Sequence, residues 1–310
     1  MPLTQAHKTG LGSSAALVTA FATAAIAYFV PLSLKDAESK EGQARLHNLA
    51  QAAHCAAQGK VGSGFDVAAA VYGSCVYQRF SPHILETLGD DREDGFARRL
   101  QCVVEDTSPQ VKWDSSMDKS AATIPKGMLL VMCDVDCGSE TVGMVKSVLG
   151  WRKQKPDEAA ILWASLQAAN EDLASQLRNL ATGPNFPTKD IDNLRKSILT
   201  VRSLLRGMSK ETGVPIEPPV QTALLDACSQ LPGVIGGVVP GAGGYDAIAL
   251  LIEDRADAVR DLRSLLAEYQ AKAPDEDGVR IGRLQLLGVK QDTEGLRIED
   301  AELYEAWIHN

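Results

Sequence analysis

No two of the six cysteines form a CxxC pair, and none is spaced with a histidine as a zinc site requires. They stand at positions 55, 75, 102, 133, 137 and 228, most of them among apolar neighbours. They therefore read as small core residues in a reducing compartment, which excludes a disulfide framework and a metal centre built on thiolates. Positive charge is also short, with 31 Lys and Arg against 40 Asp and Glu and a net charge of -9. That balance excludes the clustered basic surface of a nucleic-acid-binding protein. Nucleotide binding is unaffected, because backbone N–H groups, a helix terminus and a divalent cation supply the local positive field there. Thr9 to Leu34 lacks charge altogether, yet the run begins with two glycines and two serines, is rich in Ala and Thr, and carries Pro31. It is a poor bilayer span and reads as a buried helix over about Ser13–Phe29, so no membrane association is expected. Met1 to Thr9 lacks the charged-then-apolar order of a secretory leader, and the chain contains no internal repeat or low-complexity segment.

What is present is glycine in three concentrated places. Lys8-Thr9-Gly10-Leu11-Gly12-Ser13-Ser14-Ala15-Ala16 runs into the long apolar stretch and reads as a phosphate cradle opening a helix. Its glycines let the chain turn tightly, and Ser13 and Ser14 fall where the first unpaired helical N–H groups would meet an anion. It matches neither the Walker pattern nor the dinucleotide fingerprint, whose third glycine is missing. Residues 59 to 74 form a second loop with four glycines, Gly59, Gly62, Gly64 and Gly73, which delivers Asp66 at a loop-to-helix junction. A third, Pro240-Gly241-Ala242-Gly243-Gly244-Tyr245-Asp246, lies between the apolar runs Val234–Val239 and Ala247–Ile252.

Taken in order along nearly the whole chain, these loops resemble those of the GHMP kinases, and within them the fungal type of phosphomevalonate kinase. Ala53-His54-Cys55-Ala56-Ala57-Gln58 before the second loop and Asp134-Val135-Asp136-Cys137-Gly138-Ser139-Glu140-Thr141 carry the resemblance as well. It implies an α+β fold of two domains, with a ferredoxin-like C-terminal domain. It also implies ATP and Mg²⁺ as cofactors, 5-phosphomevalonate as the small-molecule substrate, and a cytoplasmic kinase of the mevalonate route of isoprenoid and sterol biosynthesis.

At 310 residues and 45% hydrophobic content the chain can bury one large or two ordinary cores. A helix is expected over Gln43–Gln58, with Leu46, Leu49, Ala53 and Ala57 on one side, and a short buried one over Val67–Tyr72. Ser74–Phe80 and Leu100–Glu105 have strand length, and Asp90–Gly95 is a solvated turn. The apolar strand Met128–Val135 places a domain boundary near residue 125, giving an N-terminal domain over 1–125 and a C-terminal domain over 126–310. Ser139–Trp151 reads as a helix with Ser139 as N-cap. Two leucine-rich stripes, Leu162 to Leu180 and Ile191 to Met208, form a helical hairpin inserted at about 156–210. A helix over Val220–Gln230, two strands around the third loop, a helix over Arg255–Lys272 and a strand over Leu284–Val289 complete a ferredoxin-like order.

The resemblance implies transfer of the ATP γ-phosphoryl group to the phosphate of 5-phosphomevalonate, a reaction governed by positioning and charge neutralisation. Lys8, Gly10, Leu11, Gly12, Ser13, Ser14 and Ala15 would bind the ATP phosphates, with Ser14 also on Mg²⁺. Asp66 would orient the attacking phosphate oxygen or accept its proton, and His54 is a second metal candidate. Ser63, Gly64, Ser139, Thr141, Gly241, Gly243 and Gly244 would face the substrate. Each has a plainer alternative: Ser13, Ser14, Asp66 and Ser139 as helix caps, His54 as a satisfied core residue, Asp246 as a turn former. Only eight residues precede Thr9, so the first strands and a catalytic-site lysine of the family have no counterpart by motif, and the N-terminal domain reads as truncated. A chain short of those strands would expose a sheet edge to self-association, and a non-catalytic binding protein is the alternative function.

Overall fold

The computed structural model describes residues 12–30, 39–119, 123–136, 143–183, 188–269, 278, 280–289, 291–299 and 302. The chain forms two compact units. One holds the described residues from 12 to 119 together with those from 292 onward, and the other holds 123 to 291.

In the first unit, helix α1 (Ser13–Phe29), α2 (Lys40–Gln58) and α3 (Phe65–Tyr72) pack together. Ala15, Ala50, Val67, Ala68 and Val71 meet in their common core, and the small side chains let the backbones come close. Helix α1 has the expected bounds, but only one side of it is buried, at Ala15 and Thr19. Leu17, Phe21, Tyr28 and Phe29 are exposed, which corrects the reading of a buried helix. Helix α2 begins at a Ser39 N-cap, whose hydroxyl accepts the Gly42 N–H. The strand expected over Ser74–Phe80 shrinks to β1 (Val76–Gln78), and after the single turn of α4 (His83–Glu86) the chain forms a helix, α5 (Phe96–Val104). The strand expected at Leu100–Glu105 is thus helical. Phe96, Leu100 and Val103 recur at helical spacing and pack against the cluster of Phe80, Ile84, Leu85 and Leu88. Strand β2 (Ser116–Asp118) pairs antiparallel with β1. The segment from Asp292 was expected in the C-terminal domain, yet it bonds within this unit. The Ser74 N–H donates to Asp292 O at 2.8 Å and the Leu296 N–H to Val71 O at 3.0 Å.

The second unit is built on an antiparallel sheet of β3 (Met128–Val135), β4 (Val234–Val238), β5 (Ala247–Glu253) and β6 (Leu284–Leu287), in the order β4-β5-β3-β6. Its first strand therefore lies between its third and fourth, the ferredoxin-like arrangement. Between β3 and β4 run α6 (Met144–Gln154), α7 (Pro156–Ala181), α8 (Thr188–Thr212) and α9 (Pro219–Ser229), and α10 (Ala256–Glu268) follows β5. Helix α6 starts at a Gly143 N-cap, and the Ser139 expected as its cap lies outside the described residues. On one sheet face Ile248, Leu250 and Ile252 pack with Leu224, Leu225 and Cys228 of α9 and with Leu262 and Leu266 of α10. On the other, Ile235, Leu251 and Met128 meet Leu194 and Ile198 of α8 and Leu180 of α7. With both faces covered, β4 and β5 read as continuous apolar runs without alternation. At the head of α9, Arg202 of α8 and Glu217, 1% and 0% exposed as side chains, form a buried pair at 2.8 Å. Asp226, Arg206 and the Thr222 hydroxyl complete it.

The five described cysteines are unpaired, with Cys55, Cys133 and Cys228 buried. Among the described residues no helix is long and apolar enough to cross a membrane.

Candidate active site

In the first unit Gly12, the described end of the first glycine loop, approaches Asp66 of the second. Gly12 is the N-cap of α1 in the left-handed region, φ 73°, and contributes no side-chain cap. The first helical bond runs from the Ala16 N–H to Gly12 O, so the N–H groups of Ser13, Ser14 and Ala15 have no acceptor within the helix. A β-carbon on Gly12 would sit 3.2 Å from Cβ of Asp66. Only a glycine brings the head of α1 this close to the carboxylate-bearing turn.

Asp66 lies in the first turn of α3 behind its N-cap Gly64. Its Oδ1 accepts the Val67 N–H at 3.0 Å, while Oδ2 lies 3.9 Å from Nδ1 of His54. The ring of His54 is almost buried, with Nε2 3.2 Å from Ser14 Oγ and 3.0 Å from Gln58 Nε2. An amide nitrogen can only donate, so Nε2 is the acceptor and the ring proton is on Nδ1, facing Asp66. That nitrogen has a single lone pair, which the Gln58 amide and the Ser14 hydroxyl share as donors. Ser14, His54 and Asp66 thus form one line from the head of α1 to the head of α3. Ser14 does not cap its own helix, and Asp66 is in part a helix-head acceptor and in part a partner of His54.

The remaining expected residues are dispersed. Ser13 and Ser63 are exposed. Ala15 is fully buried in the helical core and offers the site its backbone alone. Gly64 is buried, its carbonyl taken by the Ala68 N–H and by Gln51. Lys8, Gly10, Leu11, Ser139 and Thr141 lie outside the described residues. The third loop belongs to the other unit. There a β-carbon on Gly243 would meet Ile216 O at 2.5 Å, and the Gly244 N–H donates to that same oxygen at 3.0 Å. These two glycines serve close approach within the unit, whereas Gly241 faces open space.

The family model for the GHMP kinases N terminal domain matches residues 4–74, and that for GHMP kinases C terminal matches 184–271, together just over half of the chain. The chain belongs to the GHMP kinases. It is similar to phosphomevalonate kinase erg8 of Aspergillus fumigatus, 52% identical over 99% of this chain and 63% of the relative. It is similar also to phosphomevalonate kinase ERG8 of Gibberella zeae, 47% identical over 99% of this chain and 65% of the relative. The chain spans somewhat under two thirds of the length of these curated relatives. The crystal structure of a Lin0012 protein from Listeria innocua has the same fold, with a TM-score of 0.60 at 20% identity over 91% of this chain and 69% of that one.

In this GHMP kinase the metal reading of His54 fares poorly. Both ring nitrogens face protein groups, and among the described residues no three His, Cys, Asp or Glu side chains gather as a metal site. The residues missed from sequence are Gln51 and Gln58. With His47 and His54 they recur at 47, 51, 54 and 58, a polar stripe on α2 at helical spacing. In the sequence the interleaved apolar positions Leu46, Leu49, Ala53 and Ala57 mask this stripe. In the structure Ala57 is exposed while His47, Gln51 and His54 are buried.

Proposed function

We propose that this protein catalyses ATP-dependent phosphorylation of 5-phosphomevalonate to 5-diphosphomevalonate, the phosphomevalonate kinase step of the mevalonate pathway. The observation that carries the reading is the line Ser14–His54–Asp66, which joins a helix head open to an anion to a carboxylate held beside it. The relatives' printed names support the substrate. In the reaction the bond from the γ-phosphorus to the bridging oxygen of ATP breaks and one to an oxygen of the acceptor phosphate forms, with ADP leaving.

The N–H groups of Ser13, Ser14 and Ala15 bind the β- and γ-phosphates, as helix heads bind anions. Asp66 orients the acceptor phosphate and takes any proton it carries. His54 holds Ser14 and Asp66 in register, and Ser63 is the exposed loop position of this unit offered to substrate. Mg²⁺ prefers oxygen ligands, and the Ser14 hydroxyl and the Asp66 carboxylate fit that preference. When bound, it neutralises charge on the transferring phosphates. The described cysteines, free and mostly buried, favour a reducing, cytoplasmic location.

The test is ³¹P NMR of the protein with Mg·ATP and 5-phosphomevalonate, in which a new diphosphate should form as ATP is consumed. Asp66→Asn should lower kcat by about two orders of magnitude with little change in ATP affinity. An Asp66→Asn protein with unimpaired kcat would remove this residue from the chemistry, and absence of the diphosphate would reject the substrate.

A further inference from the structure

Gln51 is completely buried, yet the reaction outlined above gives it no task. Its Nε2 donates to Gly64 O at 2.7 Å and lies 3.1 Å from Nε2 of His47. On the far side, Nδ1 of His47 is 3.2 Å from Oδ1 of Asn48, whose Nδ2 donates to Val104 O at 3.1 Å. The direction of every bond is determined. Val104 O can only accept, so Asn48 presents its nitrogen there and its oxygen to His47. His47 therefore carries its proton on Nδ1 and offers a lone pair at Nε2, and the Gln51 amide nitrogen supplies one hydrogen to that lone pair and the other to Gly64 O. Burial supports the neutral ring this requires, because it pushes the His47 pKa down to about 4. Tyr72, Tyr77 and Trp113 surround the imidazole with ring centroids at 5.4 to 5.8 Å.

The end of this chain of bonds is the head of α3. Gly64 sits at φ 75°, and a β-carbon there would lie 2.8 Å from Nε2 and 2.9 Å from Oε1 of Gln51. The amide thus lies flat against the Gly64 backbone, two residues before Asp66, and uses space that only glycine leaves open. Among the described residues Oε1 of Gln51 has no hydrogen-bond partner. Satisfaction of that oxygen has been given up for the fit at Gly64, and buried polar groups are rarely left so without a reason.

We propose that Gln51 is the positioning residue for Asp66, fixing Gly64 O and so the angle at which α3 presents the carboxylate to the Ser14–His54 line. The role rests on the assignment of Asp66 to phosphoryl transfer. Small errors in the placement of a reacting group cost rate far more than they cost binding.

Gln51→Leu keeps the volume and removes the bonds, and Gln51→Glu keeps the shape but opposes an oxygen to Gly64 O. Both should lower kcat by about ten- to a hundredfold with the KM for ATP changed by less than about threefold. Gly64→Ala, which attacks the same contact from the other side, should do likewise. Hydrogen exchange read on the peptide over residues 62–70 needs no activity, and there the amides of 65–68 should exchange about tenfold faster in Gln51→Leu than in the parent. A Gln51→Leu protein with parental kcat and parental exchange would overturn the proposal, as would a fall in kcat matched by the loss of folded molecules. If the parent fails to phosphorylate 5-phosphomevalonate while exchange at 65–68 still responds to Gln51, the substrate assignment fails and the brace on Gly64 stands.

Discussion

His47 should make this protein acid-sensitive over a window well above that of its carboxylates. Burial takes its pKa from 6.5 to about 4 in the folded chain. Above pH 6.5 neither folded nor unfolded protein holds the proton, and the group has no effect on stability. Between pH 6.5 and about 4 the unfolded chain binds a proton at His47 that the folded chain refuses, so stability falls with falling pH. Below about 4 both states are protonated and the loss is complete. Its full size is about 3 kcal/mol, from roughly 1.4 kcal/mol per unit of difference in pKa, and about 2 kcal/mol of it is already lost at pH 5. Urea unfolding monitored by the fluorescence of Trp113 and its neighbours measures this directly. The midpoint should drop by about 1 M between pH 7 and pH 5 on account of His47 alone. The variant His47→Gln should be less stable at pH 7 but should lose about 2 kcal/mol less over the same interval, which separates His47 from other titrating groups. Parallel pH slopes for the two proteins would refute the reasoning, and so would an imidazole NMR titration that places His47 at or above 6.5.

Ser14→Ala should weaken Mg·ATP binding and turnover, with a stability change under about 1 kcal/mol because the hydroxyl caps no helix. Calorimetric titration with Mg·ATP alongside thermal melting checks both, and lost stability with full turnover per folded molecule would return Ser14 to a structural role. Arg202→Ala should cost about 3 kcal/mol by leaving Glu217 buried with only Arg206 and Thr222, read from denaturant unfolding. The double replacement Arg202→Met with Glu217→Leu should recover most of it, and no recovery would show that the pair is more than mutual compensation.

Legibility in the sequence followed the range of the forces at work. Helix α1 was readable to the residue because Gly12 and Pro31 bracket an uninterrupted helical run. The β4 and β5 runs were readable because a doubly covered strand is apolar throughout. Leu100–Glu105 misled because a six-residue window that holds apolar residues satisfies strand and helix alike, and only packing on Ile84 and Leu88 decides. At the site, the glycine loops and Asp66 stood out by composition. The line through His54 did not, since nothing local places residue 14 against residue 54. The Arg202–Glu217 pair was invisible for a related reason, as opposite charges fifteen positions apart are ordinary until a fold buries both.

The helical hairpin between β3 and β4 has a consequence for how this architecture can vary. In chain order α7 and α8 look like a detachable insertion, but they roof a whole sheet face on which Ile235 and Leu251 are buried. Trimming the hairpin would leave an oily surface facing water, so a shortened descendant could persist only by exchanging those strand positions for polar ones in the same lineage. Length in this region and the hydropathy of one side of β4 and β5 are therefore coupled characters.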